Sequence, residues 1–380
     1  MEIKQDIQIE SGFWSTLVCP ETRQPLVLKT LKVAEAETKH TFIAREHAVN
    51  SRGELVAPIG ITPTVMLRQD HEAAYPIVDG VPILLAPEML VPAGVKRTVD
   101  LLLPRYAEAY EEMSHYNLAA AMEAEQIKNT DAYQSIAKIY QAPQAVQVNF
   151  PYPAEIWLDA VYDSVTQMEA YEHLLPITGN QMAQLGGKGI HAVKFLLAGA
   201  YAAWAITPML GEIKCAIALA REFKVDGQLF GVVGIAEEIP LATGVLDGIF
   251  SGGCLHHMQT DLALPEAARV LKSGGRFAAN DPWRTPFYAI GTRIFGKREE
   301  GVYCQPLTKS RLAVLPVAFP TARYIQHGSI FRYPLLALNK FGIKSGLNFA
   351  YRMTKIDDAL TSIIPGLRSW GSSVVVLGKK

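Results

Sequence analysis

The chain has little cysteine: four in 380 residues, widely spaced. A disulfide framework belongs to short secreted chains with clustered cysteines, so none is expected. Long hydrophobic runs are missing too. No apolar stretch reaches the roughly 18 residues that a membrane-spanning helix needs, and the opening MEIKQDIQIESGFW lacks the apolar centre of a signal peptide. Charge of one sign is also missing. Thirty-six Lys and Arg against 37 Asp and Glu leave a net charge of −1, and the basic residues are scattered. That excludes the basic footprint of a nucleic-acid binder. No repeat and no low-complexity tract occurs. What is present, 49% hydrophobic and 19% charged residues, suits a soluble globular protein with a large core. The length accommodates a full α/β domain plus one or two additions. The expected setting is cytoplasmic, with a small-molecule substrate, no nucleic acid and no membrane partner; a homodimer is left open.

The densest signal lies between Phe230 and Phe277. A short apolar run ends in Gly234-Ile235-Ala236-Glu237-Glu238-Ile239-Pro240. A turn at Ala242-Thr243-Gly244 leads to Leu246-Asp247-Gly248-Ile249-Phe250 and Ser251-Gly252-Gly253. A helix carrying Arg269-Val270-Leu271 follows, closed by Lys272-Ser273-Gly274-Gly275. Strand, turn, strand, helix and Gly-Gly turn into a strand is βαβ grammar. These ordered phrases, with Leu255-His256-His257 after the fourth strand, resemble the class I S-adenosylmethionine-dependent methyltransferases of the small-molecule type. The resemblance runs from about Met182 to Asp281, plus a closing strand at the C-terminus. It implies a Rossmann-like seven-stranded α/β sheet over 179–380. Its strands are expected at 182–185, 203–207, 232–235, 246–253 and 274–282, with a last antiparallel strand from Ser373. An insertion rich in Arg and aromatic residues is expected at about 284–328.

Two regions precede that domain. Residues 12–92 read as a small β-rich unit, with Pro76, Asp79-Gly80 and Pro82 punctuating a hairpin. LVCPETRQPLVL and YPIVDGVPILL resemble the zinc-ribbon activator subunits of methyltransferases. In that family a second cysteine follows Cys-Pro; here Cys19-Pro20 is followed by Thr22, and no further cysteine comes before Cys215. Tetrahedral zinc takes about four Cys or His ligands. Cys19 with scattered His40, His47 and His71 is a poor set, so a zinc-free ribbon is expected, and no metal elsewhere. Residues 93–178 are helical in tone and read as a cap or linker, with Ile156, Ala160, Val161, Val165 and Met168 near helical spacing. Tyr106, Tyr110, Tyr116, Trp157 and Tyr162 would line a pocket or, equally, a core.

The methyltransferase resemblance implies S-adenosylmethionine over the carboxyl ends of the strands. The glycine turn Gly186, Gly187 and Gly189 would receive its methionine part. Acids normally hold the ammonium, the ribose and the adenine. Here Gln184, Thr207 and Ile235 stand near those positions, with Ala236 against the adenine plane and Ser251 and Gly252 also at the cofactor, where small residues leave the cleft open. Glu237 or Glu238 could turn in. Losing one such bond costs on the order of 1.5–3 kcal/mol, so losing three would erase most of a micromolar affinity, about 8 kcal/mol. A methyltransferase fold reused for another reaction or ligand is therefore the alternative, and a non-catalytic partner subunit a third, disfavoured by the open glycine turn. His256 and Asp281 are the candidate catalytic groups, as base and as orienting carboxylate. His257, Trp283 and Arg284 are candidates for the substrate, Arg284 through a bidentate grip on a carboxylate. Cys254 reads as an inert thiol, and His191 as a helix-start residue that could see an anion. Arg293, Arg298, Arg311, Arg323 and Arg332, with Phe287, Tyr288, Phe295, Tyr303, Phe319, Tyr324, Phe331 and Tyr333, suggest a lid or an interface.

Overall fold

The computed structural model describes residues 11–30, 48–49, 55–56, 64–70, 73–85, 119–286, 305–364 and 366–380. Its centre is a seven-stranded sheet. The strands are β1 (Gln181–Leu185), β2 (Ala202–Thr207), β3 (Leu229–Val233), β4 (Leu246–Gly252), β5 (Leu271–Pro282), β6 (Thr321–His327) and β7 (Ser373–Lys379). Their order is β3-β2-β1-β4-β5-β7-β6. β7 runs antiparallel to both its neighbours, and the other pairs are parallel. Every residue of β2 is buried. A strand covered on both faces reads as a continuous apolar run, and so AAWAIT carries no polar alternation. β1 pairs with β2 on one side and β4 on the other. There the strand order reverses, and open α/β sheets hold ligands in the crevice at such a point.

Helices α1 (Asp131–Tyr140), α2 (Ser164–His173), α3 (Ile190–Leu197), α4 (Leu210–Glu222), α5 (Thr260–Val270), α6 (Arg332–Lys340) and α7 (Leu347–Ile363) cover and extend the sheet. The expected β3 is displaced: the strand ends at Val233, which puts Gly234 and Ile235 beyond it, in the turn that faces the crevice. The stretch 154–173 is broken, with a short helix at Ala154–Trp157 and a 3-10 turn at Val161–Asp163 before α2. The break has a local cause. The Gln167 side-chain oxygen accepts the backbone N–H groups of Asp159 and Ala160, both at 3.1 Å, and buried Lys194 donates to the Trp157 carbonyl at 2.7 Å. β6 takes in Arg323 and Tyr324, so the segment after Trp283 closes into the sheet. A further helical excursion, α6 and α7, then separates β6 from β7.

The N-terminal part forms an antiparallel sheet from Leu26–Thr30, Thr64–Arg68, Ala74–Val78 and Val81–Pro82. Asp79 and Gly80 have φ of 50° and 80°. Positive φ at both central residues is the turn a two-residue hairpin selects, as the sequence predicts. This sheet is not a free module. Ile83 bridges Val233 on the edge of β3, and Leu17 bridges Leu241. Leu17, Cys19, Met66 and Tyr75 belong to the same apolar core as the central strands. The carboxyl end of β3's outer edge is thereby paired at Val233. Cys19 is buried and its sulfur lies 3.0 Å from the Tyr75 hydroxyl. Thr22 N–H donates to it at 3.5 Å. Cys19 is thus engaged inside the fold. His40, His47 and His71 lie outside the described residues, as do Tyr106, Tyr110 and Tyr116.

Candidate cofactor cavity and the strand ends beside it

An open cavity of about 560 Å³ lies at the carboxyl ends of β1 to β4. Gly186 and Gly187 form its floor, Thr207 to Met209 and Glu212 one wall, Gly234 to Glu237 another, and Gly253, Cys254, His257 and Met258 the third. The glycines are required by geometry. Gly186 has φ of 75°, and a Cβ there would stand 2.6 Å from the Cys254 Cβ. Gly189 lines nothing; its Cβ would meet that of Ala216 at 2.2 Å, so it lets α3 start hard against α4.

Gln184 is turned away from the cavity. Its side-chain oxygen accepts the N–H groups of His191 and Ala192, at 2.8 and 3.0 Å, and its nitrogen donates to the Gly186 carbonyl at 2.8 Å. One amide thus caps the first turn of α3 and ties down the glycine turn, a task needing a donor and an acceptor together. An Asp or Glu there would lack the donor. Lys188, inside the turn, pairs with Glu123 of the helix at 119–125.

An acid reaches the end of β2 from the next helix. Glu212, on the first turn of α4, lines the cavity and accepts the Thr207 hydroxyl at 2.6 Å. Burial raises its pKa to about 7, against hydrogen bonds from Thr207 and the Gly187 backbone that favour the charge. Glu237 is a second buried carboxyl on the cavity wall. It is also raised to about 7 by burial, and it accepts the Gln259 N–H at 2.7 Å. Ile235 and Ala236 give the same wall an apolar surface.

Beside the cavity, Asp281 ends β5 and reaches back to the turn Leu255–His257. Its Oδ1 lies 2.7 Å from His256 Nδ1 and accepts the His256 backbone N–H at 3.0 Å. Burial raises the Asp281 pKa, and the His256 contacts work against that rise. With Nδ1–H donated to the carboxylate, His256 presents Nε2 as its basic nitrogen. His257 packs on His256 with ring centroids 4.0 Å apart; burial first, then the neighbouring His256 and Arg311, lower its pKa to about 3. Arg311 holds this turn by donating to the carbonyls of His256 and Met258, at 3.0 and 2.6 Å. Ser251 Oγ, Asn280 Oδ1 and Asp281 Oδ2 are buried at these strand ends without a hydrogen-bond partner.

The remaining candidates lie elsewhere. Gly252 sits against His191 and Phe250. Trp283 is buried and stacked on Tyr324, centroids 5.3 Å apart, while Arg284 is exposed. His191 is no anion site: its Nδ1 is 2.6 Å from the Tyr171 hydroxyl, and burial lowers its pKa to about 4. Arg332 pairs with Asp163 at 3.0 Å, and so braces the chain. Arg293, Arg298, Phe287, Tyr288, Phe295 and Tyr303 fall outside the described residues. Among the described residues no group of three or more His, Cys, Asp or Glu is placed to hold a metal ion.

Comparison with known proteins gives the same region. A family model described as a methyltransferase domain matches residues 186–279, from the glycine turn into β5. Uncharacterized methyltransferases of Mycobacterium bovis and Mycobacterium tuberculosis are 32% identical over 126 residues, which is 32% of this chain and 47% of theirs. The chain thus spans about half the length of the curated relatives it matches. Among solved structures, the geranyl diphosphate C-methyltransferase of Streptomyces coelicolor A3(2) is 14% identical, covering 66% of this chain and 98% of that one, with a TM-score of 0.37. The YcgJ protein of Bacillus subtilis is 17% identical, covering 57% of this chain and 97% of its own, with a TM-score of 0.39.

Proposed function

We propose that the chain is a methyltransferase that uses S-adenosylmethionine to methylate a small-molecule acceptor. The observation that carries this reading is the cavity itself: it opens at the switch point of the sheet, on the segment that matches the methyltransferase domain. The residues fit such a ligand. Gly186 and Gly187 leave backbone bare for close approach. Thr207 and Glu212 offer a hydroxyl and a carboxyl to the ribose diol. Ile235 and Ala236 offer an apolar face to the adenine. Glu212 supplies the acid that the end of β2 lacks, which weakens the case for a fold reused around another ligand.

The cofactor, when bound, supplies an electrophilic methyl group. The chain's own part is to bind, orient and take a proton. Holding acceptor and methyl in line contributes most of the rate in such a transfer. His256, fixed by Asp281, takes a proton at Nε2 where the acceptor must lose one. His257 stays neutral on the cavity wall and leaves a cationic sulfonium unopposed. The N-terminal sheet has a packing role at the carboxyl end of β3's outer edge. A small-molecule acceptor is favoured because charge is balanced over the chain, with no basic footprint for a nucleic acid.

Isothermal titration with S-adenosylmethionine and S-adenosylhomocysteine tests the reading. Binding is expected for the wild type and is abolished by Gly187→Leu, which puts a bulky side chain at a cavity-lining glycine of positive φ, against the Gln184 amide. Wild-type protein that gives no heat and no thermal shift at millimolar ligand would sink the proposal.

A further inference from the structure

Helix α7 is mounted the reverse of an ordinary amphipathic surface helix. The residues it buries are Ala350, Thr354, Asp357 and Thr361, small or polar side chains. Asp357 Oδ2 accepts the N–H groups of Ile330 and Phe331, at 2.8 and 3.1 Å. Its large apolar residues point outward instead: Phe349, Ile356, Leu360 and Ile363 are 55, 48, 39 and 76% exposed. Steps of seven, four and three residues put these four on one stripe. Phe341 and Ile343 before the helix, and Ile364 and Trp370 after it, extend the exposed apolar surface. An exposed apolar stripe of this kind, with further exposed apolar residues in the segments that flank it, marks an interaction surface.

Charge selects the occupant. Arg352 and Lys355 are exposed beside the stripe, with Lys344 and Arg368 near its two ends. Between Phe341 and Ile364 the sequence has two carboxylates, Asp357 and Asp358. The first is fully buried, and the second lies 2.9 Å from His327. The stripe is therefore bordered by cations whose own segment offers no outward anion. A second copy of this chain, docked about a two-fold axis, would bring those cations together without counter-charge. An anionic lipid surface complements both features, since interfacial helices pair an apolar stripe containing Phe or Trp with flanking Lys and Arg.

We infer that α7 and its flanks dock the protein on an anionic bilayer surface, with the Phe349–Ile363 stripe in the interface and Arg352 and Lys355 at the headgroup phosphates. No helix among the described residues is long and apolar enough to cross a membrane, so the protein lies on the bilayer. The inference is independent of the methyl-transfer reading.

Co-sedimentation of the full chain with vesicles tests it. Phosphatidylcholine vesicles should leave the protein in solution. Vesicles of phosphatidylcholine and phosphatidylglycerol in equal parts should sediment it, less so as salt screens the headgroups. The double change Ile356→Glu with Ile363→Glu should cut partitioning on the order of tenfold or more. Arg352→Ser with Lys355→Ser should weaken it and flatten the salt dependence. All four positions are exposed, so unshifted melting confirms that each variant is folded. Failure to sediment with anionic vesicles overturns the inference, as does equal binding to both vesicle types. Sedimentation velocity showing a dimer that the Ile356→Glu, Ile363→Glu variant dissociates would give the face to a second copy instead.

Discussion

The Thr207 hydroxyl and the Glu212 carboxylate meet at 2.6 Å on the wall of the cavity. One ends β2 and the other opens α4, five residues later. Together they put an acid where a strand end supplies only a threonine. Burial holds the Glu212 pKa up at about 7. A ribose diol donating two hydrogen bonds favours the ionised form.

Cofactor affinity should therefore rise with pH through about 7, as Glu212 ionises. Calorimetry with S-adenosylhomocysteine from below to above neutrality measures this. Glu212→Gln should weaken binding by about 1.5–3 kcal/mol at alkaline pH and flatten the pH profile, any remaining slope belonging to Glu237. The free protein should behave in the opposite sense. A carboxyl whose folded pKa exceeds its unfolded value contributes stability fully present below the unfolded pKa, near 4.5, and lost as pH rises through 7. An affinity that is flat with pH in the wild type would remove Glu212 from the ribose site.

His256 and Asp281 are expected to act on turnover rather than on cofactor binding. Asp281→Asn keeps the size of the group but takes away the anion that fixes His256 Nδ1–H. Turnover on any acceptor that the wild type methylates should fall by roughly a hundredfold or more. S-adenosylhomocysteine affinity should stay within a few-fold, since neither residue lines the cavity. Loss of binding with preserved kcat would show that Asp281 serves the fold instead.

The legible part of this molecule follows from two constraints. Parallel strands buried on both faces must be apolar runs, which is why β1, β2, β4 and β5 could be placed from the text of the sequence. The glycine turn must adopt positive φ, so Gly186 and Gly187 announced themselves. The hairpin at Asp79-Gly80 was legible for the same reason. Glu212 is not legible, because the acid expected at the strand end stands instead on the next helix and faces back only once α4 packs on the sheet. Gln184 looked like a ligand residue by position; its hydrogen bonds to three backbone groups exist only in the folded turn. The inverted helix α7 has an ordinary helical period, and periodicity does not say which stripe faces in.

Cys19 supports a prediction about metal. Burial opposes its thiolate, but hydrogen bonds from Thr22 and Tyr75 outweigh that and lower its pKa. The sulfur thus has its donors within the protein. Elemental analysis of the purified chain should find no zinc, and chelators should leave its melting unchanged. Cys19→Ser should cost on the order of 1 kcal/mol. One equivalent of zinc, lost in Cys19→Ser, would overturn this.

His327, at the end of β6, staples three elements together. Its Nδ1 is 2.9 Å from Asp358 on α7, and its Nε2 is 3.3 Å from Glu169 on α2. Burial works against the charged ring, but the two carboxylates more than offset it and raise the pKa to about 9. A histidine raised in the folded state contributes stability fully present below its unfolded pKa, near 6.5, and lost as pH rises through 9. Every tenfold gain in proton affinity on folding is worth about 1.4 kcal/mol. The partial exposure of both carboxylates reduces the total, so a loss of about 2 kcal/mol is expected. Glu169 sets the other limit. Burial alone would raise it, but His327 holds it below its usual value, so its contribution disappears as pH falls through the acid range. In denaturant melts the stability difference between the wild type and His327→Gln should be level between these limits and shrink on the alkaline side, the loss through about 7 from Glu212 being common to both proteins. Above about 7 the wild type should therefore lose stability more steeply than His327→Gln. Equal alkaline slopes in both proteins would assign the decline to other groups and leave His327 uncharged in the fold.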